Sequence, residues 1–149
     1  MPTAKNAMRR NAISVSPEAT VAEAAKLMTN HDMDAIAVCE NGKFRGLVTY
    51  QNIVSQVVAD NRDAGRERVT LITSNNLPKV CPGIALAEAI KIMAKHRTRV
   101  VPVVQNGKFV GLLTMDDVMR ESPALVVMTA QHWGMPADSR GSEGMAINR

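Results

Sequence analysis

The run Gly111-Leu112-Leu113-Thr114-Met115-Asp116-Asp117 sets a hydroxyl at a predicted helix start and a carboxylate one turn inside that helix. Glycine lets another group come close to the preceding strand, exposed N–H groups at a helix start can receive phosphate, and a carboxylate can accept hydrogen bonds from two sugar hydroxyls. That chemistry suits a nucleotide sugar. The same Thr-x-x-Asp spacing also forms a capping box, and first-turn carboxylates complement the helix dipole. Taken locally, the structural role is the commoner one.

The run is written twice. Gly46-Leu47-Val48-Thr49-Tyr50-Gln51-Asn52 is its twin, and Val15 to Val54 lies on Val80 to Met119 without a gap, at an offset of about 65 residues. Each copy reads strand, helix, strand, tight turn, strand, helix. In the first, Ala12 to Val15 is a strand candidate, and Thr20 caps a helix with Glu23 three residues on. Val21, Ala24, Ala25 and Met28 share one face of that helix, as do Leu86, Ala89, Ile90 and Met93 in the second copy. Ala85 stands where the second cap would be, a loss typically worth about 1 kcal/mol. Asn41-Gly42 and Asn106-Gly107, each between apolar runs, predict type I′ hairpins.

Composition narrows the class. At 149 residues the chain fits one compact domain, and each copy alone would bury only a marginal core, so the copies are expected to pack on each other across an approximate two-fold axis. Aromatic content is 3% and methionines number 10, so the core must be aliphatic and methionine-rich. No apolar run approaches the roughly 18 to 20 residues that span a bilayer, and Met1 to Lys5 leads into no apolar stretch, so a cytoplasmic protein without a secretory signal is expected. A formal charge of +4 favours anionic ligands without demanding nucleic acid, and the aromatic-interleaved surface expected for single-strand stacking is missing. Cys39 and Cys81 occupy unrelated positions and make no metal framework; each reads as a small buried hydrophobe.

Two copies of strand, helix, Asn-Gly hairpin and Gly-x-x-Thr-x-x-Asp/Asn, with Ala-Glu-Ala-x-Lys-x-Met in the first helix, resemble a tandem pair of CBS domains, the Bateman module. The likeness covers about residues 8 to 121. It implies an α/β (α+β) fold of two β-α-β-β-α motifs, at 8–60 and 73–121, joined by a linker at 61–72 and followed by an extension at 122–149 with a short helix and a flexible tail. It further implies a regulatory sensor of AMP, ADP, ATP or S-adenosylmethionine that needs no cofactor and forms a homodimer.

Carried over by residue, the resemblance makes Asp117 the ribose acceptor and Thr114 a ribose or phosphate contact. Arg99, just before the second strand of its copy, is expected to face the phosphates, and the base edge is expected from the other copy around Ile13 and Ser14. Asn52 and Thr49, with an edge near Lys79 and Val80, make a second and weaker site, because an amide lacks the charge and second acceptor that hold a diol.

Other candidates carry less. Lys95 and Arg97 suit the C-terminal end of a helix, and His31 and His96 can satisfy its last carbonyls. Arg62, Arg66 and Arg68 alternate with Asp63 and Glu67 as a solvated face. Trp133 lies alone beyond the repeats. No paired acid and base, metal cluster or activated nucleophile points to an enzyme. Without an attached catalytic or transmembrane domain, output is expected to pass through an unidentified regulated protein or through dimer geometry. The alternative is a structural or adaptor dimerisation protein with vestigial nucleotide sites.

Overall fold

The computed structural model describes residues 1–10, 12–125 and 127. The elements are α1 (Ala4–Ala7), β1 (Ser14–Val15), α2 (Val21–Asn30), β2 (Ala35–Glu40), β3 (Lys43–Thr49), α3 (Tyr50–Ile53), α4 (Leu86–Lys95), β4 (Val100–Gln105), β5 (Lys108–Thr114) and α5 (Met115–Glu121). Helix α3 runs on as a wider π-helical segment, Val54–Val58. The predicted fold class holds: one mixed sheet of order β1-β2-β3-β5-β4, flanked by helices. The tail and Trp133 lie outside the described residues.

Local chemistry explains the hairpins. Asn41 and Gly42 adopt φ of 54° and 81°, and Asn106 and Gly107 adopt 55° and 78°, the positive values a type I′ turn demands. Both hairpins are antiparallel, both shift register at the same place, Val38/Cys39 and Val103/Val104, and they meet edge to edge at Lys43 and Lys108. Strand β1 pairs in parallel with β2, Val15 opposite Val38. The second copy repeats this as a single bridge between Val80 and Val103. The strand predicted over residues 12–15 is therefore only two residues long.

Three apolar clusters form. One holds Val21, Ala24 and Met28 of α2 against Ile36, Val38 and Val48; a second holds Leu86, Ala89, Ile90 and Met93 of α4 against Val101, Val103 and Leu113. The third joins Ala35, Ala37 and Leu47 of the first copy to Val100 and Leu112 of the second. It is the seam expected from mutual burial: each copy alone would expose it. Thr20 and Glu23 make the predicted capping box, with Thr20 N donating to Glu23 Oε1 at 2.8 Å and Glu23 N to Thr20 Oγ1 at 3.1 Å, while Ala85 offers α4 no side-chain cap. Cys39 is half-buried, and burial pushes its thiol pKa up despite a hydrogen bond with Ser14. Cys81 is exposed, against expectation, because it follows the inward-facing Val80 and turns to the other side.

Candidate functional site

Glycine sets the inner wall of each cleft. A Cβ on Gly46 would stand 2.6 Å from the carbonyl oxygen of Ser74, and one on Gly111 would stand 2.7 Å from that of Arg9. Only glycine admits these backbones. Leu47 and Ser74 exchange N–H···O bonds of 3.0 and 2.8 Å, and Leu112 and Arg9 exchange bonds of 3.3 and 2.9 Å. Ser74 and Arg9 are thus equivalents under the repeat, which begins earlier than the apolar pattern reveals.

Both helix starts carry the capping box. In the first copy Asn52 Oδ1 accepts from Thr49 N at 3.0 Å and from Thr49 Oγ1 at 2.9 Å, while Asn52 N donates back to Thr49 Oγ1 at 3.1 Å. In the second, Asp117 Oδ2 accepts from Thr114 N at 3.0 Å and Asp117 N donates to Thr114 Oγ1 at 3.1 Å. Beyond that the clefts diverge. Asp117 is fully buried, and its Oδ1 accepts from Arg120 at 3.0 Å with Arg9 Nε at 3.7 Å. Neither oxygen is left for a sugar. Ser55 and Ser74 occupy the places of Arg120 and Arg9 in the first copy. Ser55 turns to the carbonyl of Gln51, 2.8 Å away, and Ser74 lines an open cavity.

That cavity, about 400 Å³, lies between the two helix starts. Thr49 and Asn52 come from the first copy, Ser74 and Leu77 from the leading segment of the second, and His96, Arg97, Thr98 and Arg99 from the segment before β4. Asp34, Thr114 and Asp116 complete its polar wall. Arg99 faces Asp116 at 3.8 Å, both well exposed, so the pair is weak and the guanidinium is available to an anion. His96 holds its ring to the carbonyl of Ile92, 3.0 Å away, the helix-end role expected of it.

The grouping expected from the sequence therefore changes. Of Asp117, Thr114, Arg99, Ile13 and Ser14, only Asp117 and Thr114 meet directly, in the capping box; Asp117 is fully buried, and Thr114 also lines, with Arg99, the cavity that holds Asn52. Ile13 lies in a separate hollow of about 310 Å³ with Arg9, Arg10 and His31. Ser14 is exposed on β1. Nor do Lys79 and Val80 edge the Asn52 cleft. Val80 is core, paired with Val103, and Lys79 sits 5.9 Å over the Phe44 ring; Ser74 and Leu77 take the place assigned to them. The edge comes from the segment before the short strand, which the glycine contact draws in.

The comparisons with known proteins now bear on this geometry. The family model for the CBS domain matches residues 4–59 and 69–124, one match per copy. The chain belongs to the CBS domain family. The CBS domain-containing protein YhcV of Bacillus subtilis is 34% identical over 118 residues, covering 79% of this chain and 84% of that one. An inosine-5′-monophosphate dehydrogenase of Korarchaeum cryptofilum is 37% identical over 115 residues, 76% of this chain but only 23% of that enzyme. Among solved structures, a hexameric CBS-CP12 protein from bloom-forming cyanobacteria superposes with a TM-score of 0.73 at 28% identity, covering 81% of this CBS pair and 72% of that chain. Among the described residues no group of three or more His, Cys, Asp or Glu could hold a metal ion, and no helix is long and apolar enough to cross a membrane.

Proposed function

We propose that this CBS pair is a regulatory ligand-sensing module that binds an adenine nucleotide or related adenosyl compound in the cavity lined by Asn52, Ser74 and Arg99. The single observation that carries the reading is the asymmetry of the clefts: in the second, Arg9 and Arg120 engage the buried Asp117 and about 190 Å³ remains beside Thr114 and Asp116, whereas the first keeps about 400 Å³, lined by polar groups and in the size range of small-molecule sites. The Ser74 hydroxyl and the Asn52 amide would meet the ribose, Leu77 would pack on the base, and Arg97 and Arg99 would meet phosphate. Binding rather than catalysis is the task, and output would pass to a partner through a difference in affinity for two arrangements.

Thermal unfolding with and without AMP, ADP, ATP and S-adenosylmethionine tests this. A ligand at 100 times its dissociation constant stabilises the native state by about 2.7 kcal/mol. Ser74→Arg, which copies the closed cleft, is expected to abolish that shift. A persistent shift would remove the cavity from consideration.

A specific observation favours adaptor dimerisation as the second reading. Tyr50, Val54 and Val58 are more than half exposed at four-residue spacing, with Leu71 also exposed. Such a row fits a second copy of the chain, in keeping with the hexameric relative. Sedimentation showing an oligomer with no response to any adenosyl compound would establish this reading over the first.

A further inference from the structure

The group at position 52 presents the wrong polarity for a free diol. Thr49 N is a donor only, so the atom 3.0 Å from it must be the amide oxygen of Asn52, and the Thr49 hydroxyl takes that oxygen's second lone pair at 2.9 Å. What Asn52 turns to the cavity is its NH₂, which has no partner among the described residues. A carboxylate there would offer an acceptor to sugar hydroxyls; the amide offers two donors and no acceptor. The neighbouring Ser74 hydroxyl, also without a side-chain partner among the described residues, can donate as well.

We infer that Asn52 makes the open cleft selective for an adenine nucleotide whose ribose carries phosphate on O2′ or O3′, as a monoester or a phosphodiester, over one with a free diol. The inference rests on the nucleotide reading above and specifies its ligand class. Phosphate oxygens only accept, so they match the amide and the serine hydroxyl, whereas a diol finds no acceptor at position 52 and must turn its hydrogens elsewhere. Arg97 and Arg99 add positive potential to the same cavity, set against Asp34 and Asp116, of which Asp116 is already drawn to Arg99.

Calorimetric titration of the full chain with ADP and with adenosine 3′,5′-bisphosphate compares two ligands with equal numbers of phosphates. The bisphosphate is expected to bind about tenfold tighter, the value of a hydrogen bond to a charged group against an unmatched one. Asn52→Asp should reverse the order, because its carboxylate accepts from the diol and repels phosphate. That variant keeps the cap, as Asp117 does in the twin. Adenylyl-(3′→5′)-adenosine separates the sources: binding tighter than the bisphosphate assigns the diester, and weaker binding assigns the monoester. ADP binding as tightly as the bisphosphate, or an unchanged order in Asn52→Asp, overturns the selectivity while leaving the nucleotide reading intact. Failure of every probe on both proteins overturns the nucleotide reading itself.

Discussion

The two clefts begin from one sequence and end with opposite chemistry. Where the first has Asn52, Ser55 and Ser74, the second has Asp117, Arg120 and Arg9. A buried carboxylate needs compensation, and the second copy supplies it from within, with two guanidiniums on one oxygen and a backbone N–H on the other. Replacing acid by amide removes that need, so the first copy can keep serines and leave the space open. The acid that looks best suited to a ligand is therefore the one the fold consumes. Duplication preserved the frame and reassigned the polar groups.

The largest test of this contrast is truncation of the two capping residues. Asp117→Ala removes a cap and two charged contacts from a fully buried position, and about 2 to 3 kcal/mol of stability should go with them, the exposed stems of Arg9 and Arg120 limiting the loss. Asn52→Ala removes a cap alone and should cost about 1 kcal/mol. Urea unfolding measures both through the midpoint at constant m-value. Equal costs would mean that the arginine contacts contribute nothing and that the second cleft is not held shut by them. A nucleotide response surviving in Asp117→Ala would further separate its structural role from binding.

How much of this was written in the chain divides along range. Both Asn-Gly hairpins, the Thr20–Glu23 box and the missing cap at Ala85 were legible because each depends on residues within one turn, and the repeat because its copies match without a gap. Of the two arginines on Asp117, Arg120 lies one turn on in the same helix, but Arg9 was not legible, since it lies far away in sequence and arrives only through the backbone pairing at Leu112. A signal existed: extended at the same offset, the repeat sets Arg9 against Ser74 and Arg120 against Ser55. Differences between copies, not matches, held the information about which cleft is open. Lys79, Val80 and Ser14 were misplaced for a related reason, while Ile13 does lie beside Arg9, the partner of Asp117. Strand pattern marks the core-facing residues, whereas the cleft edge is the irregular segment that the glycines pull in.

A smaller effect should follow from converting one cleft toward the other. Arg9→Ser with Arg120→Ser frees Oδ1 of Asp117 and restores the serines of the first copy. Calorimetry should then show a second site of weaker affinity, raising the stoichiometry with a free-diol nucleotide from one to two per chain. The new site should prefer the diol, because position 117 now offers the acceptor that Asn52 lacks. Stoichiometry unchanged in a folded variant would show that the second cleft is closed by shape and not by charge.

The smallest difference between copies lies away from both clefts, at the start of α2 and α4. Glu23 bonds back to the Thr20 backbone and hydroxyl, and these bonds hold its pKa below the ordinary carboxylate range. A lowered folded value means that this contribution is complete above the unfolded glutamate pKa of about 4.3 and is lost as pH falls through the folded one. Thr20→Ala should therefore cost most near neutrality and less in acid. The second copy has the glutamate but not the threonine: Ala85 is already extended at φ −66° and ψ 141°, and Glu88 reaches instead to Lys91 at 3.4 Å. Ala85→Thr should stabilise by somewhat under about 1 kcal/mol, since an exposed Glu–Lys pair worth a few tenths is given up for the cap. Thermal unfolding at neutral pH measures the gain; its absence would mean that Glu88 stays with Lys91 and that α4 does not form the reciprocal bond that α2 possesses.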